Sequence, residues 1–442
     1  MSATVRKKAL AEGQSSWVEG ALNLAAERRA KTSTSVQELA REAAAVWNKV
    51  LFPTPSMEEW KYTNPEGIAT GSFSLPSTGG SVVSKQELEK FCIPGLKVNL
   101  IVFVDGAYVE NLSELQLQSG VTVHRVEGQN LSLIGSLRAH EGEPFAALAT
   151  ALLSDGLVLV IDRGVVAERP LHIIHLTTKS AERCVVTPRL FIEAGESSQI
   201  TVIESHVSLD SREYLSLPVS EIRAASGAIV DVYTFQNEST AAFVVANTTV
   251  EQGRDSTVRN HIFSFGGKLV RNNVTVKLSG SNGNAVLNGL SVLCGSQHVD
   301  NATMIHHIEP SSESREHFKG IYSDTSRGVF SGTITVDQIA QKTNAFQSNQ
   351  ALLLSPNASI ETRPQLKIWA DDVKCTHGAT VGQLDAEAMY YLRSRGIDRE
   401  TARNFLVHAF ASEVLTSVQL EPLKQYVEGV LTQKLEGETP QE

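Results

Sequence analysis

AFVVANTTV (residues 242–250) and LVRNNVTVKL (residues 269–278) typify the region that decides the fold of this chain. From Gly156 to Ala370, short apolar or alternating runs of this kind follow one another, separated by Gly, Asn, Ser and Asp. No convincing helix interrupts them. A β-sandwich and a parallel β-helix would both produce this pattern. We favour the β-helix, because the region is long for one sandwich and small residues recur where the chain must turn.

The segments on either side of this region predict helices. Residues 1 to about 51 have helical periodicity, and prolines end that helix because each disfavours helix in the residue before it. VNLIVFV (98–104) is a buried-strand candidate and residues 133–153 look helical, so the first region is mixed but mostly helical. We therefore expect a mainly β protein with α ends, divided into an N-terminal helical domain (1–153), a β-helix core (154–383) and a C-terminal helical domain (384–442).

The C-terminal tail predicts a pair of amphipathic helices. Asp385 and Asp398 are suitable N-caps, and Gly396 suits the position just past the first helix. The second helix carries one wide apolar stripe, formed by Ala402, Phe405, Leu406, Ala409, Phe410 and Val414. That stripe is wider than a helix pair can bury, so Phe405 and Phe410 are candidates for contact with a partner. Residues after Gly437 look disordered.

Length and composition describe a globular protein with ample core. The chain has 442 residues, of which 41% are apolar and 20% charged, with a formal net charge of -10. That charge argues against nucleic acid or an anionic membrane as the main partner. The amino terminus lacks the apolar core of a signal peptide, and no apolar run approaches membrane-spanning length. A cytoplasmic protein is the simplest interpretation.

The four cysteines are scattered along the chain at Cys92, Cys184, Cys294 and Cys375. No CxxC pair occurs, which excludes a zinc ribbon and makes a disulfide framework a poor interpretation. Reduced thiols fit a cytosolic compartment best.

Sequence motifs for ATP hydrolysis and for common hydrolases are absent. Gly266-Gly267-Lys268 lacks the remainder of a phosphate-binding loop, and GxGxxG, HExxH and GxSxG do not occur. If ATP powers the work of this protein, another subunit must hydrolyse it. We therefore expect the chain alone not to hydrolyse ATP.

Four histidines fall within a short stretch, at His298, His306, His307 and His317. The signal for a metal site is weak, because adjacent histidines on a strand face opposite ways. Solvated or core-edge histidines are the favoured interpretation.

Cys375 and His377 form the sharpest chemical feature. The apolar alternation of residues 366–370 slips by one position at Asp371-Asp372, which predicts a bulge or a corner. Cys375 and His377 then share one face of a strand. Singly, a cysteine there is usually a small buried hydrophobe and a histidine is usually structural. Together they are credible ligands for iron, since histidine can replace cysteine on one iron of a cluster.

Two separated motifs carry a resemblance to a known family. ADDVKCTHGATVGQLD (370–385), followed by YYLRSRGI (390–397), is similar to the carboxy-terminal signature of the SufD branch of the SufB/SufD family. FPTPSMEEWKYTNP (52–65) is similar to a run that the same branch carries upstream. The segment DGLVLVIDRGVVAERPLHI (155–173) is a looser match. The SufB branch has an acidic-His-acidic run where this chain has CTHG, so the resemblance favours SufD.

The resemblance implies a fold, partners and a cofactor. The family has a right-handed parallel β-helix core and forms the SufBCD complex, a scaffold that assembles nascent iron–sulfur clusters. It implies pairing with SufB, binding of the ABC-type ATPase SufC through the tail, a transient cluster shared with SufB, and a reduced flavin as a candidate electron source. His377 matches a family histidine implicated in cluster assembly, and Cys375 a neighbouring cysteine with a less settled role. A homodimer of the isolated chain is a further alternative.

The rival interpretation is a stand-alone β-helical enzyme acting on an acidic polysaccharide. Asp371 and Asp372 would then be an acid pair or calcium ligands. Against this, secreted lyases carry signal peptides, and adjacent strand residues diverge. We favour a role for both aspartates as turn residues that make local backbone bonds.

Overall fold

The computed structural model describes residues 17–30, 34–77, 82–126 and 133–436. Two long β-sheets dominate these residues, and helices lie towards both ends of the chain. Almost all strand pairs are parallel, so the predicted mainly β architecture with a parallel β-helix core and α ends is confirmed.

The first sheet has ten strands. In spatial order they are β2 (Ala107–Tyr108), β1 (Asn99–Val104), β5 (Leu171–Thr177), β8 (Gln199–Ser208), β11 (Ile229–Asn237), β13 (Thr257–Ser264), β15 (Asn284–Leu293), β17 (Glu313–Tyr322), β19 (Asn344–Leu353) and β21 (Lys374–Gly382).

The second sheet has eleven strands. Nine follow in spatial order as β20 (Ser359–Ile368), β18 (Arg327–Val336), β16 (His298–His307), β14 (Leu269–Leu278), β12 (Phe243–Gln252), β10 (Val219–Ala224), β7 (Arg189–Ala194), β4 (Leu157–Ile161) and β3 (Val121–Arg125). The short strands β6 (Val185–Val186) and β9 (Leu215–Ser216) pair with each other, and β9 also pairs with β12.

Each coil of the solenoid contributes one strand to each sheet. From β10 to β21, consecutive strands alternate between the two sheets, and each pairs in parallel with the strand one coil away. The register is constant along the stack: Val270 pairs with Val299, and Val299 with Gly328. Antiparallel pairing is limited to β1 with β2 and β3 with β4 among the described strands.

Small or polar residues occupy one repeating corner between the sheets. Ser197, Asp255, Asn282, Ser311 and Lys342 all have positive φ, between 55° and 64°. The amide of each donates to a backbone carbonyl of the next coil, as from Asn282 to Pro310 at 3.1 Å. Asn, Asp and Ser tolerate this left-handed conformation better than β-branched residues do. Turn chemistry of this kind produced the small-residue pattern in the sequence.

The apolar core fills the space between the two sheets. Alternate side chains of both sheets point inward, and Ile192, Val202, Val230, Phe318 and Ile334 are among the fully buried ones. Burial of apolar surface at roughly 25 cal/mol per Å² makes this core the main source of stability.

The described part of the N-terminal region contains five helices: α1 (17–29), α2 (Thr34–Val50), α3 (Glu66–Ala69), α4 (Lys85–Glu89) and α5 (Pro144–Ala151). The helix predicted over residues 133–153 is therefore confined to α5. Gly135 and Arg138 have φ of +78° and +56°, which no α-helix accommodates, and Pro144 starts α5 at a position where proline is tolerated.

The tail holds three helices, not the predicted pair: α6 (Ala386–Ser394), α7 (Arg399–Leu415) and α8 (Glu421–Glu436). Asp385 and Asp398 cap α6 and α7 as predicted, with side chains that accept from backbone amides. Helix α8 buries Leu423, Val427, Leu431 and Leu435. That spacing of four residues is a helical signal in the sequence. The predicted disorder after Gly437 lies outside the described residues.

The helices cover the sides of the solenoid. Helices α7 and α8 pack on the outer face of the ten-stranded sheet, and α1, α2 and α5 pack with Trp60 on the outer face of the eleven-stranded sheet. Strand β1 pairs with β5, so the ten-stranded sheet crosses the boundary predicted at residues 153 and 154. The three-domain division stays a prediction.

Candidate functional site

The final coil of the solenoid is exposed. Strands β20 and β21 contain no buried residue, whereas Phe330 and Ile334 on the preceding β18 are fully buried. Among the described strands, β21 pairs with β19 alone and β20 with β18 alone, so both present an unpaired edge. Large apolar side chains are exposed around this end, at Phe346, Ile368, Trp369 and Val381. An exposed apolar edge of this kind is typical of an interaction surface.

Asp371 and Asp372 form the corner between β20 and β21. The predicted phase slip is therefore a transfer from one sheet to the other, because the two strands belong to different sheets. The carbonyl of Asp372 accepts from the Lys342 amide at 2.7 Å, and its carboxylate pairs with the Lys342 ammonium. The Asp372 amide donates to Gln341 Oε1 at 2.9 Å. Asp372 is thus a corner residue, as predicted, but its bonds join it to the preceding coil and are not local to the turn.

Cys375 is half-buried near the start of β21. It lies in register with the buried Ala345 and packs against the solenoid core. Burial raises the pKa of the Cys375 thiol, and a backbone hydrogen bond with Ala345 opposes that rise. The thiol is therefore protonated at neutral pH, and it must lose its proton to bind a metal.

His377 lies two residues further along β21, and its side chain is exposed. A Cβ added to the following Gly378 would meet no atom within 4 Å, so the opposite face of the strand is open at this position. Cys375 and His377 lie two residues apart on the same strand, so they share one face of it, as predicted. Their role as iron ligands stays a prediction. Two side chains supply at most part of the coordination shell of a cluster.

A buried polar ladder lies beneath His377. Gln347, its register partner on β19, is fully buried and donates through Nε2 to Glu316 Oε2 at 2.5 Å. Burial raises the pKa of Glu316 to about 7. Hydrogen bonds with Thr303 and Gln347 lower this pKa and so oppose the effect of burial. Gly332 makes room for this ladder, because a Cβ there would lie 2.1 Å from Gln347 Nε2. The sequence pattern did not indicate these residues.

Three of the four clustered histidines bond separate partners, which supports the structural interpretation. His298 lies 2.9 Å from Thr63 Oγ1, His306 2.9 Å from Asp337 Oδ1, and His307 2.9 Å from Ser314 Oγ. Burial lowers the pKa of His317, and the nearby Lys319 ammonium lowers it further.

One group of potential metal ligands escaped the sequence analysis. Within the described residues, His175, Glu204 and His206 are the one set of three His, Cys, Asp or Glu side chains whose ligand atoms lie within 4.8 Å of one another. They come from β5 and β8, which only the parallel register brings together. In the sequence, the spacing of Glu204 and His206, two residues apart on β8, was the available signal for this group of ligands.

The two phenylalanines proposed for partner contact differ in their surroundings. Phe405 is 54% exposed, whereas Phe410 packs partly against the helix–sheet core, with the Lys319 ammonium 4.3 Å from its ring centre. The buried stripe of α7 consists of Ala402, Val407, Ala411, Val414 and Leu415. The six residues of the predicted stripe therefore include both buried and exposed positions. Partner contact stays a prediction for both phenylalanines.

Within the described part of the chain, no helix combines the length and apolarity needed to cross a membrane. Cys92, Cys184, Cys294 and Cys375 are all free thiols.

Comparisons with known proteins agree with the resemblance noted in the sequence. The family model of the SufBD core domain of the SUF iron–sulfur cluster assembly system matches residues 175–410, and that of the SufBD N-terminal region matches residues 24–173. The iron–sulfur cluster assembly protein SufD of Escherichia coli is 34% identical over 87% of this chain and 90% of its own length.

Two further relatives span much of the chain. An iron–sulfur cluster assembly SufBD family protein of Synechocystis is 30% identical, over 86% of this chain and 87% of its own length. A chloroplastic protein of Arabidopsis thaliana is 31% identical over 71% of this chain and 69% of its own length. The chain therefore belongs to the SufBD family of the SUF iron–sulfur cluster assembly system, as a member of the SufD type.

Proposed function

We propose that this protein is the non-catalytic SufD scaffold subunit of a cytoplasmic SufBCD complex that assembles nascent iron–sulfur clusters and transfers them to apo-proteins. Family membership supports the role in iron–sulfur cluster assembly. It lends no support to the rival, an enzyme acting on an acidic polysaccharide. The observation that carries the proposal is the exposed final coil, whose edge strand bears His377.

Pairing with SufB uses the two open edges of that coil. Strands β20 and β21 each offer a row of unpaired backbone groups, and a second solenoid can add its own strands to them. Such addition would bury Ile368, Trp369 and Val381, which are exposed in the isolated chain. It would also enclose His377 between the two subunits.

The transient cluster binds at this junction. His377 supplies a neutral imidazole nitrogen, and Cys375 supplies a thiolate once its proton is lost. SufB provides the remaining ligands, because two side chains supply at most part of the coordination shell of a cluster. The cluster is thus cargo shared between subunits, and a reduced flavin in the complex is a candidate source of electrons.

The ATPase SufC binds the tail helices. Helices α7 and α8 are anchored on the ten-stranded sheet by their buried stripes, which leaves Phe405 on the exposed side of α7. Helix α6 has no buried residue, and it exposes Tyr390 and Tyr391. Exposed aromatic side chains of this kind are enriched where partner proteins bind.

A proline on the edge strand tests the SufB interface. The Lys374 amide donates to Thr343 on the β19 side. Alternate amides of a parallel strand point to opposite sides, so the Ala379 amide points to the open edge. Ala379→Pro removes that donor and leaves the bonds with β19 in place. We expect the variant to fold and to lose SufB when the three proteins are co-expressed and purified together.

Ala379→Ser is the matched control, since it changes the side chain and keeps the amide. We expect it to purify with SufB like the unchanged chain. Normal recovery of SufB with Ala379→Pro would place the interface elsewhere. An unfolded Ala379→Pro protein, detected by circular dichroism, would show that the edge is not free.

A further inference from the structure

We propose that His175, Glu204 and His206 form a binding site for one divalent transition metal ion, of the class of Fe²⁺ or Zn²⁺, inside the β-solenoid. All three side chains are buried. The site lies on β5 and β8, away from the exposed coil formed by β20 and β21. It needs neither SufB nor a cluster, so it stands apart from the proposed scaffold function.

The parallel register brings the three ligands together. Glu204 and His206 are two residues apart on β8, and His175 pairs with His206 on the neighbouring β5. Residues at alternate positions of these strands, such as Ile173 and Val202, lie in the solenoid core. Because residues two apart on a strand share one face, the three polar side chains also point into the solenoid interior.

The ligand atoms converge on one point. Glu204 Oε1 lies 3.9 Å from His175 Nε2 and 4.0 Å from His206 Nε2. The two imidazole rings are stacked, with centroids 4.8 Å apart. A bound ion needs about 2.0–2.2 Å to each nitrogen and oxygen, so a small inward movement of the side chains closes the site. Two histidines and one carboxylate are a common set for Fe²⁺ and Zn²⁺.

Unsatisfied nitrogen atoms point to a missing ligand. Neither ring nitrogen of His175 has a hydrogen-bond partner, and His206 Nδ1 has none, although both residues are buried. Buried polar atoms without partners are rare and costly in native proteins. The second oxygen of Glu204 accepts from Ser220 Oγ at 3.0 Å, which orients the carboxyl group. A metal ion bound through the Nε2 atoms would satisfy His175 Nε2, the unsatisfied nitrogen that faces Glu204 Oε1.

The protonation states suit metal uptake. Burial lowers the pKa of His206 to about 4 and that of His175 well below its ordinary value, so both imidazoles are neutral and have a free lone pair. Burial raises the pKa of Glu204 to about 7. A metal ion binds the deprotonated carboxylate, so it would displace this proton.

Metal content of the full-length chain tests the site. The chain is stripped with a chelator, then exposed to Zn²⁺ or Co²⁺, or under anaerobic conditions to Fe²⁺, both in the folded state and during refolding from urea. We expect one ion per chain after dialysis, and for Co²⁺ the visible absorption of a low-coordinate nitrogen–oxygen site. Refolding is included because the site is enclosed. A chain that retains no ion by either route would overturn the proposal.

Two variants and one control separate this site from adventitious surface binding. Glu204→Gln is isosteric with the protonated acid and keeps an acceptor for Ser220, and His206→Gln is the second variant. We expect either to lose at least about 100-fold in affinity. His172→Gln is the control, because His172 is equally buried on β5 and bonds Ser205 outside the triad. Unchanged metal content in both triad variants would overturn the proposal.

Discussion

Gln347 lies directly beneath His377, as its register partner one coil earlier in the solenoid. Gln347 is fully buried and bonds Glu316, whereas His377 is exposed. A ladder of polar side chains therefore runs through the solenoid interior and ends at the imidazole. A partner that stacks on the open end must cover His377, and this makes the histidine the residue to test first.

His377→Ala should leave folding intact and abolish function. Removal of one exposed side chain usually changes the free energy of unfolding by about 0.5 kcal/mol or less, whereas loss of a cluster ligand removes a site. We expect the variant to assemble with SufB and SufC but to fail to support iron–sulfur maturation in a strain that depends on this pathway. Full rescue by His377→Ala would exclude a functional role for the histidine.

Cys375→Ala distinguishes one ligand from two. If the half-buried thiol only packs against the core, its loss should have a milder effect on maturation than that of His377. If the thiol is a second ligand, both variants should fail to a similar extent. Maturation is measured in both strains alongside recovery of the SufBCD complex. A Cys375→Ala chain that cannot assemble would make the cysteine an interface residue instead.

The purified chain should not hydrolyse ATP. It has no phosphate-binding loop, since Gly266-Gly267-Lys268 lacks the rest of that motif. Addition of SufC should produce hydrolysis, measured as phosphate release. A SufC variant with its P-loop lysine replaced is the control. Turnover by the chain alone, surviving further purification, would contradict a non-catalytic role.

Phe405→Asp and Val407→Asp should differ in their effect on the stability of the tail. Phe405 is more than half exposed, so its replacement should reduce SufC binding at least tenfold with little loss of stability. Val407 is fully buried, so a carboxylate there should unfold the tail. Phe410→Asp should fall between them, because its ring packs partly in the core. Binding is measured by co-purification and stability by urea denaturation. Normal SufC binding by Phe405→Asp would move the interface to another surface.

Glu316→Gln should change how stability depends on pH. The pKa of Glu316 is about 7 in the folded chain, against about 4.3 when unfolded. Between these values the folded chain holds a proton that the unfolded chain has lost, so the free energy of unfolding falls as pH rises. The variant lacks this titration. From pH 5 to pH 8 it should gain stability relative to the unchanged chain, by roughly 3 kcal/mol or less.

Urea denaturation of both proteins at the two pH values measures this gain. Other buried groups, such as Glu238 and His307, titrate in both proteins and cancel in the difference. A difference that stays constant with pH would mean that Glu316 holds no proton in the fold.

The features that follow from local pattern were predictable. Alternating runs with turn residues between them are set by side-chain direction along a strand, and they predicted the β-solenoid. The caps Asp385 and Asp398 act within one helical turn, so sequence sufficed to place them. The same local alternation placed Cys375 and His377 on one face of a strand.

Helix faces were harder to assign. Helix α7 has apolar residues around much of its circumference, so periodicity did not separate Val407, which is buried, from Phe405, which is exposed. The sheet against which α7 packs makes that distinction. For the same reason, the position of the helices on the sides of the solenoid could not be derived from their own sequences.

The sequence by itself determined the strands, the turns between them, the helical ends and the pair Cys375 and His377. Tertiary structure alone decided which strands meet. It put β20 and β21 in different sheets, set His377 above Gln347, and brought His175 beside His206. The physical reason is that a parallel strand pairs with a strand one coil away. That register is set by side-chain packing in the solenoid interior and not by any local periodicity.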